Sequence, residues 1–156
     1  MPLDTVRYSR MPKWRRWRSA AATLLIVAST ASAQGQAIAP VDVTRPAGTK
    51  AHSAEAPDLL AAGAKRHGDT SLSPAGRSCN TCHASADSYN ATFKKPWPHF
   101  VASVKRKTGL DRITAEGMVQ FCMISAMGTR PLPWNSEALA ALTAFVLERH
   151  NKVVER

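Results

Sequence analysis

The stretch Cys79-Asn80-Thr81-Cys82-His83 decides how the rest of this sequence is interpreted. Two cysteines separated by two residues and followed at once by histidine form the pattern C-x-x-C-H. The two thiols can join the vinyl groups of a haem, and the next residue then places an imidazole beside the iron. The sequence therefore predicts one haem c per chain, attached through Cys79 and Cys82, with His83 as the proximal iron ligand.

Two other kinds of site also contain a C-x-x-C pair. A thioredoxin-like redox pair opens a helix after a strand, and this sequence has no strand pattern before Cys79. A structural zinc site needs a second Cys or His pair at short spacing, which the sequence does not provide. Haem attachment is the interpretation that fits the motif.

Residues 1–33 have the features of a secretory signal. They contain six basic residues and one acidic residue, a short apolar stretch over residues 20–28, and the small-residue sequence Ala31-Ser32-Ala33. The apolar stretch is shorter than the roughly 20 residues that span a bilayer. We therefore expect cleavage after Ala33 and export to the periplasm, with no membrane span after cleavage.

This cleavage also changes the net charge. The whole chain has 21 Lys and Arg and 11 Asp and Glu, a formal charge of +10 at pH 7. Because six of the basic residues and one of the acidic residues lie in the leader, residues 34–156 carry a formal charge of +5. A modest positive charge suits docking to an acidic redox partner or attraction of a small anion, and it does not indicate nucleic acid binding.

Hydrophobic periodicity predicts a small all-α domain over residues 57–156. Residues 34–56 show no periodicity and predict a flexible N-terminal arm. About four helices are expected around the haem, at residues 58–67, 100–107, 114–127 and 136–150. Ser136 is expected to cap the last helix, and Gly63 to let another backbone approach the first one closely.

The chemistry of the haem depends on its second axial ligand. The candidates are Cys122, Met118, Met123, Met127 and His99. In a helix over residues 114–127, Met118 and Cys122 share one face, while Met123 points about 100° away, so Cys122 and Met123 cannot both be ligands. The attachment motif uses two of the three cysteines and leaves Cys122 without a partner cysteine. Iron would bind this thiol as a thiolate, which lowers the haem potential, whereas ligation by methionine raises it. We expect Cys122, with a methionine, His99 or an open position as alternatives.

Three segments of the C-terminal half resemble the haem domain of SoxA-type sulfur-oxidation cytochromes. They are residues 113–123, ITAEGMVQFCM, residues 127–134, MGTRPLPW, and residues 136–146, SEALAALTAFV. The resemblance implies a cytochrome c fold and axial ligation by His83 and Cys122. It also implies work beside a second c-type cytochrome, or another periplasmic redox protein, in thiosulfate oxidation. That family usually has arginine directly after the ligand cysteine, where this sequence has Met123.

The predicted function is a periplasmic monohaem cytochrome that transfers electrons in inorganic sulfur oxidation. We expect an electron-transfer or haem-binding subunit rather than a stand-alone enzyme. The chain also resembles small His/Cys cytochromes that bind nitric oxide or carbon monoxide, so binding of a diatomic gas is one alternative, and a plain His/Met electron carrier is another. Arg130 and residues 105–107 are candidates for attracting a small anion.

Overall fold

The structure is a computed structural model, and it describes residues 37–85, 88–89 and 91–155. The predicted secretory signal lies outside these residues. The described part contains six α-helices: α1 (Pro40–Val43), α2 (Ala56–His67), α3 (Cys79–Cys82), α4 (Ala102–Thr108), α5 (Ala115–Ser125) and α6 (Glu137–Val154).

The prediction of a small all-α domain is confirmed. The four longer helices, α2, α4, α5 and α6, correspond to the four that the sequence predicts. Extended backbone pairing within the described ranges is limited to one isolated antiparallel bridge between His99 and Ile113. Among the same residues, no helix combines the length and the apolar character needed to cross a membrane.

Helices α2 and α6 form the most extensive helix pair of the domain. They approach most closely at Gly63, where an added Cβ would lie 2.2 Å from the carbonyl oxygen of Ala141 and 2.7 Å from Cβ of Phe145. No larger residue fits there without a shift of the backbone, because interiors are already packed to contact. The expectation of a close backbone approach at Gly63 is therefore correct.

Side-chain caps fix where α5 and α6 begin. The Thr114 hydroxyl accepts a hydrogen bond from the Gly117 amide at 3.0 Å, and the Ser136 hydroxyl accepts one from the Leu139 amide at 3.3 Å. Each bond satisfies an amide that would otherwise lack a partner in the first turn. The C-terminal ends differ from the prediction, since α5 ends at Ser125 and α6 continues to Val154.

The part of the predicted arm that includes α1 is packed against the domain, and the prediction of flexibility is wrong there. Ile38 and Val43 are 5% and 2% exposed and belong to the core. The Arg45 guanidinium forms an ion pair with the Glu116 carboxylate and donates to the Trp134 carbonyl at 2.8 Å. The buried apolar residues of this stretch, Ile38 and Val43, are isolated in the sequence, so no hydrophobic periodicity indicates the packing.

The core consists of two clusters of buried side chains, and α5 contributes to both. The first cluster contains Ile38, Val43, Val104, Ile113 and Phe121. The second cluster contains Val119, Met123, Met127, Leu139 and Leu142.

Candidate haem-binding site

A large cavity lies along α5, with side chains packed in or against both core clusters in its walls. It contains about 1010 Å³ of empty space, a figure that includes space open to solvent, and its walls are mostly apolar. Its lining includes all four predicted site residues, Cys79, Cys82, His83 and Cys122.

The attachment motif forms a short helix at one wall of this cavity. Helix α3 spans Cys79–Cys82 and opens with reciprocal hydrogen bonds between Ser78 and Thr81, a capping box. Its last turn is closed by the His83 amide, which donates to the Cys79 carbonyl at 2.9 Å. This one turn of helix brings both thiols and the imidazole to the same cavity.

His83 is suited to bind a metal as neutral imidazole. Burial lowers the pKa of His83, and the nearby Arg149 guanidinium lowers it further. Its ring stacks on Tyr89 with centroids 4.4 Å apart, and its Nδ1 atom is buried without a hydrogen-bond partner. A neutral imidazole nitrogen is the form that coordinates iron, so the environment favours the ligand state.

Cys122 faces the cavity from α5. Burial raises the pKa of the Cys122 thiol to about 12, and the nearby Cys79 and Cys82 contribute to that rise. All three cysteines line the cavity. Within the described residues, Cys122 belongs to neither core cluster and is not among the side chains packed against them.

The other candidate ligands also line the cavity, and the three methionines among them pack in or against the core clusters. Met123 and Met127 are 2% and 4% exposed and are members of the second core cluster. Met118 packs against the first cluster. His99 is fixed by its backbone bridge to Ile113, and its ring lies 4.1 Å from that of Trp97 between centroids.

His67 is part of the site, although nothing in the sequence pattern singles it out. It is 2% exposed, lines the cavity and packs on Phe145 with ring centroids 5.0 Å apart. Its Nδ1 lies 2.9 Å from Oδ1 of Asn80, inside the attachment motif. Burial lowers the pKa of His67, so the neutral ring ties the motif to the end of α2.

A basic residue that the sequence analysis did not single out lines the cavity. Arg130 and residues 105–107 are not part of the cavity lining. Arg77 does line the cavity. Its Nη1 donates to the Ala126 carbonyl at 2.7 Å, and this bond links the segment before the attachment motif to the end of α5. Its position two residues before Cys79 is the only sequence signal that could have indicated this role.

Residues 64–152 match the family model described as SoxA/TsdA, cytochrome c domain. This match covers more than half of the chain and includes the attachment motif and Cys122. The chain belongs to the SoxA/TsdA cytochrome c domain family. It is thus a c-type cytochrome of a family involved in the oxidation of sulfur compounds, and its domain carries covalently bound haem. No curated protein and no solved structure matches the chain.

The cavity of this cytochrome fits a haem by its own chemistry. Most of its lining is apolar, as a porphyrin face requires. Within the part of the chain that the structure describes, four lining residues carry a buried polar atom without a hydrogen-bond partner: His83 Nδ1, Tyr89 OH, Trp97 Nε1 and His99 Nδ1. Such atoms are costly unless a bound group supplies partners. When bound, haem would supply a one-electron redox centre, and Cys79, Cys82 and His83 would be the residues that hold it.

Proposed function

We propose that this chain is an exported monohaem cytochrome with His83 and Cys122 as axial ligands. It transfers electrons in the oxidation of thiosulfate or a related inorganic sulfur compound, as a subunit that works beside a second c-type cytochrome or another periplasmic redox protein. The observation that carries the proposal is the placement of the Cys122 sulfur in the same cavity as the attachment motif.

Packing favours Cys122 over the three methionines as the second ligand. A methionine that fills the core gives up contacts if it turns to iron, and Met123 and Met127 are almost fully enclosed by apolar neighbours. Cys122 would give up none of the contacts that hold either cluster together. It is therefore the sulfur that can bind iron at the smallest cost to the fold.

Burial keeps the Cys122 thiol protonated when no cation is near, since its pKa is about 12. A metal ion reverses this preference, because a coordinated thiol is deprotonated by the charge of the metal. The anionic sulfur then stabilises the oxidised iron and lowers the potential. A low potential suits a centre that passes electrons onward rather than one that retains them.

Export and partner choice follow from the leader and the charge. A secretory signal in residues 1–33 directs the chain to the periplasm, where haem attachment and inorganic sulfur oxidation both take place. The formal charge of +5 on residues 34–156 favours docking to an acidic redox protein and attraction of anionic sulfur compounds. Sequencing the exported protein from its N-terminus should give Gln34 first.

The ligation is tested by potentiometry and absorption spectra of the holoprotein. Wild type should show a low-spin ferric spectrum and a negative midpoint potential, and Cys122→Met should raise that potential with the haem still attached. Met123→Leu is the matched control, because it removes the neighbouring sulfur and keeps a side chain of similar volume. An unchanged spectrum and potential in Cys122→Ala would contradict ligation by Cys122.

Two further measurements separate the proposed electron carrier from the alternatives. Tight binding of carbon monoxide to the reduced wild type, with displacement of the sulfur ligand, would indicate a gas-binding protein instead. A positive wild-type potential that falls in a methionine variant would indicate a plain His/Met carrier. Reduction by thiosulfate in wild type but not in Cys122→Ala would support a direct part of this thiolate in the sulfur chemistry.

A further inference from the structure

Trp97 and His99 carry two of the buried polar atoms that have no hydrogen-bond partner among the described residues, Nε1 and Nδ1. Both residues line the cavity, and their rings lie 4.1 Å apart between centroids at an angle of 33°. His99 is only 6% exposed. Two neighbouring rings that each carry such an atom, in the wall of a mostly apolar cavity, indicate a polar group of the ligand at that point.

The position of this pair in the fold is well defined. The His99 amide donates to the Ile113 carbonyl at 3.2 Å, and the Ile113 amide donates back to the His99 carbonyl at 3.0 Å. Ile113 lies two residues before the first residue of α5, Ala115. Trp97 packs against the first core cluster, which contains Ile113. The Trp97–His99 pair therefore lies at the N-terminal end of α5.

The attachment motif lies toward the opposite end of the same helix. Cys79 packs against the second core cluster, which contains Met127. Arg77, two residues before Cys79, donates to the Ala126 carbonyl, just after the last residue of α5. From Ala115 to Ala126 a helix rises by roughly 16 Å at 1.5 Å per residue. The cavity thus has a cysteine end and a Trp97–His99 end, separated along α5.

Haem also differs between its two ends. The vinyl groups that react with cysteines lie on one half of the porphyrin edge, and the two propionate groups lie on the other half. With Cys79 and Cys82 at the vinyl groups, the propionates extend toward the far end of the cavity. We propose that Trp97 Nε1 and His99 Nδ1 form the binding site for a haem propionate, an assignment that rests on the family's covalent haem.

The donors and acceptors of the proposed propionate site match one another. The Trp97 indole N–H has no acceptor among the described residues and would donate to one carboxylate oxygen. His99 Nδ1 and the other oxygen share one hydrogen, which either group supplies. Burial lowers the pKa of His99, while the carbonyls of Pro96 and Lys95 raise it and the neighbouring His150 and Lys95 charges lower it. None of the described carboxylates is among the groups that shift this pKa, so a propionate facing Nδ1 would supply the negative charge there.

This assignment gives His99 a role other than axial ligation. A residue that pairs with a propionate lies beside the edge of the porphyrin, away from the axis through the iron. Trp97 and His99 are then positioning residues for the haem, and they affect its potential by compensating the charge of a carboxylate near the iron.

The test uses the holoprotein and compares four substitutions. Trp97→Phe removes the indole N–H and keeps an aromatic ring, and His99→Leu removes the imidazole. Trp134→Phe is the matched control, because Trp134 is not among the cavity-lining residues. Arg77→Gln changes the basic residue at the cysteine end. The measurements are the propionate bending bands in resonance Raman spectra and the midpoint potential.

We expect Trp97→Phe and His99→Leu to shift a propionate band and to lower the potential, because a less compensated carboxylate favours ferric iron. Trp134→Phe and Arg77→Gln should leave the band in place. An unshifted band in both Trp97→Phe and His99→Leu would overturn the assignment. A propionate band shifted by Arg77→Gln would also overturn the assignment, since the propionates would then lie at the cysteine end of the cavity. Loss of the low-spin ferric spectrum in His99→Leu would overturn it too, because His99 would then be an axial ligand.

A measurement on the native side chain covers the case in which a variant does not fold. In ¹⁵N-tryptophan-labelled wild type, the indole N–H of Trp97 should exchange slowly with deuterium, and its signal is identified as one that persists in Trp134→Phe. Exchange at the rate of an exposed indole would overturn the proposal. A holoprotein with methionine in place of Cys122 at the iron would contradict the proposed function and would leave the propionate assignment intact.

Discussion

Gln120 offers the sharpest test of how α5 is held in place. It has no exposed surface, its Nε2 donates to the Leu132 carbonyl at 2.7 Å, and the Leu132 amide donates to its Oε1 at 2.8 Å. Gln120→Met keeps the length of the side chain and removes both bonds. Each backbone group left without a partner costs about 1–3 kcal/mol. Because Leu132 is half-buried and water can replace part of the loss, we expect destabilisation of about 2–3 kcal/mol.

The assay is urea unfolding of the ferric holoprotein, followed by circular dichroism, with Asn151→Leu as the control. Asn151 is an exposed amide on α6, and surface substitutions usually change stability by less than about 0.5 kcal/mol. Gln120→Glu adds a pH signature, since its protonated carboxyl can still donate to the Leu132 carbonyl and its ionised form cannot. Its penalty should therefore grow as pH rises. A loss below about 0.5 kcal/mol in Gln120→Met would refute the reasoning.

Three further substitutions test other contacts of the fold by the same unfolding assay. Gly63→Ala should cost about 1–3 kcal/mol or more, because its Cβ would overlap α6, while Ala61→Ser, exposed on the same helix, should have little effect. Ser136→Ala should cost about 1 kcal/mol through loss of the cap, and Ser136→Asp should restore most of it. Arg45→Met should cost about 1–3 kcal/mol, and no loss would mean that the α1 segment does not hold to the domain in solution.

The helices were predictable because their signals are local. Ser136 and Thr114 each precede an apolar pattern of helical period, and each caps the helix that follows. The ends of the helices were predicted less well. The apolar pattern of α5 continues through Met127, which is buried although the helix ends at Ser125. Periodicity reports burial, and a buried residue just past a helix end cannot be distinguished from a helical one.

The contacts that complete the haem site depend on long-range packing, and the sequence does not reveal them. His67 reaches Asn80 only because α2 packs on α6 and leads back to the motif. The bridge that places His99 joins it to Ile113, 14 residues later in a different segment. A histidine at a helix end or in a loop carries no local sign of such a partner. The motif predicts that haem is bound, whereas the fold determines which other side chains surround it.

Helical spacing alone does not determine which residue of α5 is the second axial ligand. Spacing places Cys122 and Met118 on one face of α5 and excludes joint ligation by Cys122 and Met123, but Met123 still reaches the cavity wall. What separates the two neighbours is their use by the core. Met123 is 2% exposed among the apolar side chains of the second cluster, so moving its sulfur to iron would open a void there. Among the described residues, Cys122 belongs to neither core cluster, and we therefore propose its thiol, rather than the Met123 sulfur, as the second axial ligand.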